Sequence, residues 1–112
     1  MADYYLRVSG STKVLQGSFT GFIQATQSDS SDQKFAIVPN SSFKTVQSLN
    51  TLYWKYDNEL KLDFLVPTGN DGKFKIAFNT TSNDYEVFCL AVNNGTTPIT
   101  IAGATEFDLQ NV

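Results

Sequence analysis

The chain is predicted to fold as a single-domain, all-β protein. The expected architecture is an antiparallel β-sandwich of about nine or ten short strands, with a small closed β-barrel as the alternative. Three observations carry this. Apolar residues recur with a period of two along most of the chain, and no stretch sustains the helical period. Turn-forming clusters of Gly, Pro, Asn, Asp and Ser interrupt these runs every 8–12 residues or so. The composition agrees: 13% of the residues are aromatic and only 17% are charged, and Thr, Val, Tyr and Phe suit a half-buried pleated surface. At 112 residues the chain has the size of one domain with one core.

The strands follow in order. Residues 3–9 read as the first, and 13–16 and 18–27 as one or two more, with Gly17 and Gly21 marking a bulge or a close backbone approach. "SDSSDQ", residues 28–33, is a polar loop with no apolar anchor. Residues 34–38, 43–48 and 51–56 follow, then the clearest alternation in the chain, in which Leu60, Leu62, Phe64 and Val66 are interleaved with Glu59, Lys61 and Asp63. Pro67 to Gly72 is a turn by every residue it contains. Phe74, Ile76 and Phe78 alternate with lysines. "YEVFCLAV", residues 85–92, is apolar at nearly every position, as in a strand buried on both faces, and Asn93-Asn94-Gly95 closes it with residues that tolerate positive φ. Residues 97–102 and 105–110 complete the count. No internal repeat stands out, which argues against a propeller or solenoid.

The stretch "NTLYWKYDNELKLDFLV" (residues 50–66) decides how the middle of the chain packs, because a one-residue register shift moves every side chain to the other face. A two-residue loop at Asp57-Asn58 would put Trp54 and Tyr56 on the charged, open face, where they could stack against a sugar ring. A three-residue loop, Asp57-Asn58-Glu59, pairs Tyr56 with Leu60, Trp54 with Leu62 and Leu52 with Phe64. That register gathers Leu52, Trp54, Tyr56, Leu60, Leu62, Phe64 and Val66 on one apolar face, leaving Tyr53 and Lys55 outside beside Asp63 and Lys61. Burying each large side chain is worth about 1.5–3 kcal/mol, more than turn preference, so the three-residue loop is expected and Trp54 belongs to the core.

Several function classes are excluded on composition. Eight Lys and Arg against eleven Asp and Glu, net −3, give no basic stripe for nucleic acid. No run approaches the roughly 18 apolar residues of a membrane span. The first residues lack the basic and apolar regions of a secretion signal, so a cytoplasmic location is expected, with non-classical export left open. A single cysteine, Cys89, forbids an internal disulfide, and its apolar neighbours give it a structural role. With no histidine, the Ser-His-Asp and Cys-His nucleophile systems are unavailable, and the carboxylates spaced i to i+2 on strands (Asp84 with Glu86, Glu106 with Asp108) read as ordinary solvated faces. The chain is not expected to be an enzyme. No cofactor is expected either; Ca²⁺ is the one ion that the loop oxygens of Asp29, Asp32, Asn70 and Asp71 could attract, and neither loop has EF-hand spacing.

What remains is a binding module or an assembly protein. The first reading is a small lectin-like carbohydrate-binding protein that meets a glycan or glycoprotein through Tyr53 and the polar turn residues Asp57, Asn58, Asn70, Asp71, Asn93 and Asn94, whose donors and acceptors match vicinal hydroxyls. The second is a structural protein that self-associates through sheet edges or faces. Both imply a homo-oligomer, since lectins gain avidity from multivalency.

Overall fold

The computed structural model describes residues 2–112. Ten strands run β1 (Ala2–Val8), β2 (Lys13–Ser18), β3 (Gly21–Thr26), β4 (Phe35–Ile37), β5 (Gln47–Ser48), β6 (Tyr53–Asp57), β7 (Glu59–Asp63), β8 (Phe74–Asn79), β9 (Asp84–Cys89) and β10 (Phe107–Asn111). Every pairing is antiparallel, so the expected all-β antiparallel class and strand number both hold.

The sheet follows the order β7-β6-β5-β4-β1-β10-β9-β8, with the β2–β3 hairpin attached to β1. Lys44 and Phe74 then exchange two backbone hydrogen bonds of 2.8 and 2.7 Å, which join the segment entering β5 to β8. Strands β1, β4, β5, β8, β9 and β10 therefore follow one another round a ring. Of the two closures open to the sequence, this is the barrel form.

The register of the ring is threefold. Phe35 lies opposite Tyr4 on one side and Ser48 on the other; Phe74 lies opposite Lys44 and Cys89; Phe107 lies opposite Tyr85 and Val8. Two residues beyond Tyr4, Lys44 and Tyr85 come Leu6, Val46 and Val87. Each of these stands next to the first residue of a hairpin arm: Arg7 pairs with Val14, so Leu6 faces Leu15, while Trp54 N donates to Val46 O at 2.9 Å and Ile99 N to Val87 O at 2.8 Å. The core is these three layers, Phe35/Phe74/Phe107, Leu6/Val46/Val87 and Leu15/Trp54/Ile99, none more than 3% exposed. The expectation of no internal repeat is thus corrected. The repeat survives as "QKFAI" (33–37), "GKFKI" (72–76) and "TEFDL" (105–109), at unequal spacing.

Trp54 is the largest fully buried side chain. Its ring meets Phe22, Phe35 and Phe74 edge-on at centroid distances of 5.9, 5.3 and 5.4 Å, an arrangement that aromatic quadrupoles favour. Its indole N–H has no hydrogen-bond acceptor among the described residues. Gly17 is required nearby, since a Cβ there would stand 2.6 Å from the Phe22 ring and 2.9 Å from Leu62.

Three expectations about local structure are corrected. Phe64 and Val66 do not join the core face: β7 ends at Asp63, and the two are 73% and 48% exposed. Leu52 itself stays partly buried against the core as expected, its carbonyl accepting from Ser48 N at 2.8 Å in a turn that holds Thr51 at φ 66°. "YEVFCLAV" is dry on one face only. Val87 and Cys89 are buried, whereas Phe88 is half-buried on the outside, where it and Phe43 each lie 5.0 Å from the Lys75 ammonium. The "SDSSDQ" loop does have an anchor, a polar one: Gln33, 1% exposed, donates from Nε2 to Gln16 Oε1 at 2.9 Å and Thr26 O at 3.0 Å, and accepts from Ser28 N at 2.8 Å. A buried amide satisfied on both ends costs little and fixes its loop.

Candidate functional site

The β6–β7 hairpin builds the site. Its register is Tyr53 opposite Asp63, Trp54 opposite Leu62, Lys55 opposite Lys61, Tyr56 opposite Leu60 and Asp57 opposite Glu59, as a three-residue loop requires. Trp54, Leu60 and Leu62 point into the core, and strict alternation sends Tyr53, Lys55 and Asp63 outward. Lys55 Nζ stands 3.5 Å from Asp63 Oδ2, both side chains more than a third exposed, and Lys61 Nζ stands 3.6 Å from Asp57 Oδ2 at the tip.

Beyond Asp63 the chain leaves the sheet, with Leu65 N held by Asp63 Oδ1 at 3.4 Å. It returns through a single 3-10 turn, Asn70–Gly72, to enter β8. Between this segment and the outer face of β6 lies an open cleft of about 480 Å³, lined by Lys55, Asp63, Leu65, Val66, Pro67, Thr68, Gly69 and Asp71. Its chemistry is mixed. Asp63 and Asp71 accept hydrogen bonds, Lys55 donates, Thr68 does both, and Leu65, Val66 and Pro67 give an apolar wall. A concave surface with a few convergent polar groups over apolar ones is the usual form of a small-ligand site.

Of the seven residues the sequence nominated, Asp71 lines this cleft. Tyr53 is half-exposed and sits across the strand pair from Asp63. Asn70 opens the 3-10 turn, where its carbonyl accepts from Lys73 N at 3.2 Å and from the Cys89 thiol at 3.6 Å. The others serve turns outside the cleft. Asp57 pairs with Lys61; Asn58, at φ 59°, makes the hairpin turn; Asn93 and Asn94, at φ 48° and 55°, turn the chain after β9, with Asn93 Nδ2 donating to Thr97 Oγ1 at 2.9 Å. Lys55, Asp63 and Thr68 were not among the nominees, although the outward alternation of Lys55 and Asp63 was legible.

Burial raises the Cys89 thiol above its ordinary pKa, which suppresses thiolate chemistry. In the 28–33 loop the Asp29 carboxylate accepts from Lys34 Nζ and Asp32 from Ser30 Oγ. Among the described residues no three His, Cys, Asp or Glu side chains are grouped so as to hold a metal ion, and no helix is long and apolar enough to cross a membrane.

An exposed apolar patch adjoins the cleft. The Phe19 and Phe64 rings lie 4.7 Å apart, 50% and 73% exposed, beside Leu65 at 77%.

No protein-family model matches the sequence, and no curated protein matches it. Among solved structures, one titled "BEL beta-trefoil apo crystal form 3" superposes with a TM-score of 0.72 at 13% sequence identity, covering 99% of this chain and 93% of that one. At that identity the likeness speaks for the fold: a β-trefoil, whose three repeats are the ones marked by Phe35, Phe74 and Phe107.

Proposed function

We propose that the chain is a non-catalytic, lectin-like carbohydrate-binding module whose site is the second-repeat cleft, with a glycan or glycoprotein as its partner. The cleft carries this reading. A sugar offers hydroxyls that both donate and accept, together with an apolar C–H face. Asp63, Asp71, Thr68 and Lys55 match the first, and the Leu65–Pro67 wall and the neighbouring Tyr53 ring match the second. The fold lends support by analogy, since β-trefoils often carry lectin-like binding, although a fold hosts many functions and the site has to decide.

A glycan array tests it. Saturable binding that free sugar competes away, and that Asp71→Ala and Lys55→Ala abolish without moving the melting temperature, is the expected result. A blank array from correctly folded protein rejects the reading.

The Phe19–Phe64–Leu65 patch favours a second reading, self-association through a sheet face, because exposed contiguous apolar surface marks interaction sites. Edges are also available: among the described strands β3, β7 and β8 each pair with one other strand. Sedimentation velocity tests the assembly reading. Concentration-dependent dimers that Phe64→Ser dissolves support assembly, and a monomer at all concentrations removes it.

A further inference from the structure

The three repeats treat one position differently. Two residues before the ring phenylalanine stand Gln33, Gly72 and Thr105; one residue after the buried hairpin residue stand Gln16, Lys55 and Thr100. In the first repeat the Gln33 stem crosses the loop and its carboxamide meets Gln16, the Thr26 carbonyl and the Ser28 N–H. In the second repeat Gly72 has no stem. Pro67 packs where one would start, since a Cβ on Gly72 would stand 2.4 Å from Pro67 Cβ. Among the described residues no carboxamide takes that place, and the cleft opens beside Pro67 and Lys55. In the third repeat Ile101 and Ala104 bond to each other directly, at 2.8 and 3.0 Å, so no loop of this kind forms.

We infer that the second-repeat cleft takes the acetamido group of an N-acetylated sugar, one per chain, in the place that the Gln33 carboxamide fills in the first repeat. This rests on the carbohydrate reading above and names its ligand class. An amide presents a donor and an acceptor side by side. Lys55 donates to its carbonyl oxygen, and Asp63 or Asp71 accepts from its N–H. The Lys55–Asp63 pair, loose at 3.5 Å, opens to admit it. The acetyl methyl lies on Val66 and Pro67, leaving the ring hydroxyls to Thr68 and solvent. A free hydroxyl at the same carbon lacks the methyl and the fixed donor–acceptor pair.

Amide-detected NMR titration of the full chain with N-acetylglucosamine, glucose, glucosamine and acetamide tests this. The expected result is that N-acetylglucosamine and acetamide shift the same backbone amides, from Lys55 and from residues 65–71, with one sugar per chain. Glucose and glucosamine should bind about tenfold more weakly or worse, the effect of one lost hydrogen-bonded pair. Lys55→Met should weaken N-acetylglucosamine toward the glucose level while leaving the spectrum otherwise native. Glucose binding as tightly as N-acetylglucosamine at these residues overturns the acetamido inference and leaves the carbohydrate reading standing. Acetamide shifting the cleft while no sugar does supports the amide site and removes the carbohydrate reading. Acetamide acting on residues 26–33 instead, or on none, overturns the inference.

Discussion

The first and second repeats put Leu15 and Trp54 at the same point of the ring and Gln33 and Gly72 at the same point of the following loop, yet one loop is locked by its own side chain and the other stands open. In the first repeat both residues are buried, Leu15 in the core and Gln33 under the loop, which three hydrogen bonds seal. In the second the bulk has moved into the core as Trp54, and the loop is shaped by Pro67 resting on a glycine. A shared backbone framework therefore leaves this loop closed in the first repeat and open in the second, because the side chain that would close it has been replaced by none.

The largest difference should appear on truncating the two buried hairpin residues. Trp54→Ala removes the ring that Phe22, Phe35 and Phe74 all touch and should cost about 3–5 kcal/mol, and Leu15→Ala about 2–5 kcal/mol. Urea unfolding of each variant measures this. Losses under about 0.5 kcal/mol at either position, the size of an ordinary surface substitution, would mean that the layered core is not the shared framework. The same burial predicts a blue-shifted, quencher-resistant emission from Trp54.

Next come the loops themselves. Gln33→Ala leaves the Ser28 N–H, the Thr26 carbonyl and the Gln16 amide without their partner, at a cost of about 1–3 kcal/mol, with faster hydrogen exchange at Ser28. Gly72→Ala forces a Cβ onto Pro67 and should cost about 1–3 kcal/mol by overpacking. An equal or greater stability for Gln33→Ala would mean that the first loop is not held by its amide. A neutral Gly72→Ala would mean that Pro67 moves freely, and the contrast between the loops would shrink to one of composition.

Smaller still is the effect of Lys55→Ala on stability. The Lys55–Asp63 pair is loose and more than a third exposed on each side, and such pairs contribute about 0–1 kcal/mol. A melting temperature within error of wild type is expected, which makes the variant a clean probe of binding. A drop comparable to that of Gln33→Ala would recast Lys55 as a structural residue.

How much of this was legible depends on the kind of signal. The alternation around Trp54 and the energy of burying it selected the β6–β7 register correctly, because one wrong step would have set Trp54 and Tyr56 on the charged face, away from Leu60 and Leu62. The threefold repeat was not legible. Each copy keeps only a phenylalanine and an aliphatic residue two positions later, and Ile76 or Leu109 in such a pair looks like any strand. The site was half legible. Turn residues were nominated because their side chains suit hydroxyls, but Asn58, Asn93 and Asn94 are spent on positive-φ turns, a use the same side chains serve equally well. Lys55 and Asp63 fell outside that search because they belong to a strand. The departure of Phe64 and Val66 from the core begins where β7 ends at Asp63 and the Asp63 carboxylate takes the Leu65 N–H, a local contact that no periodicity encodes.

The least of these contrasts concerns the lysine that precedes the ring phenylalanine in two repeats. Lys34 Nζ meets the Asp29 carboxylate at 2.5 Å and the Asp29 carbonyl at 3.1 Å; Lys73, in the matching place, makes no ion pair among the described residues. The hydrogen bond from Lys34 holds the Asp29 carboxyl below its ordinary 3.8, and the same bond lifts the Lys34 ammonium above its ordinary 10.5. A depressed carboxyl means that the unfolded chain takes up the proton first, so the stabilisation is complete above 3.8 and is lost as the pH falls through the lower folded value. A raised ammonium works in the opposite sense: its share is complete below 10.5 and is lost as the pH rises through the higher folded value. Asp29 is fully exposed, so solvent and salt screen the pair and the effect is small. Unfolding wild type and Asp29→Asn in urea, from neutral pH into the acid range, should show a slight gap that closes below the ordinary carboxyl value and narrows with added salt. No gap at any pH would mean that Lys34 is held by the Asp29 backbone carbonyl alone, which the Asn variant keeps, leaving the two lysines electrostatically alike.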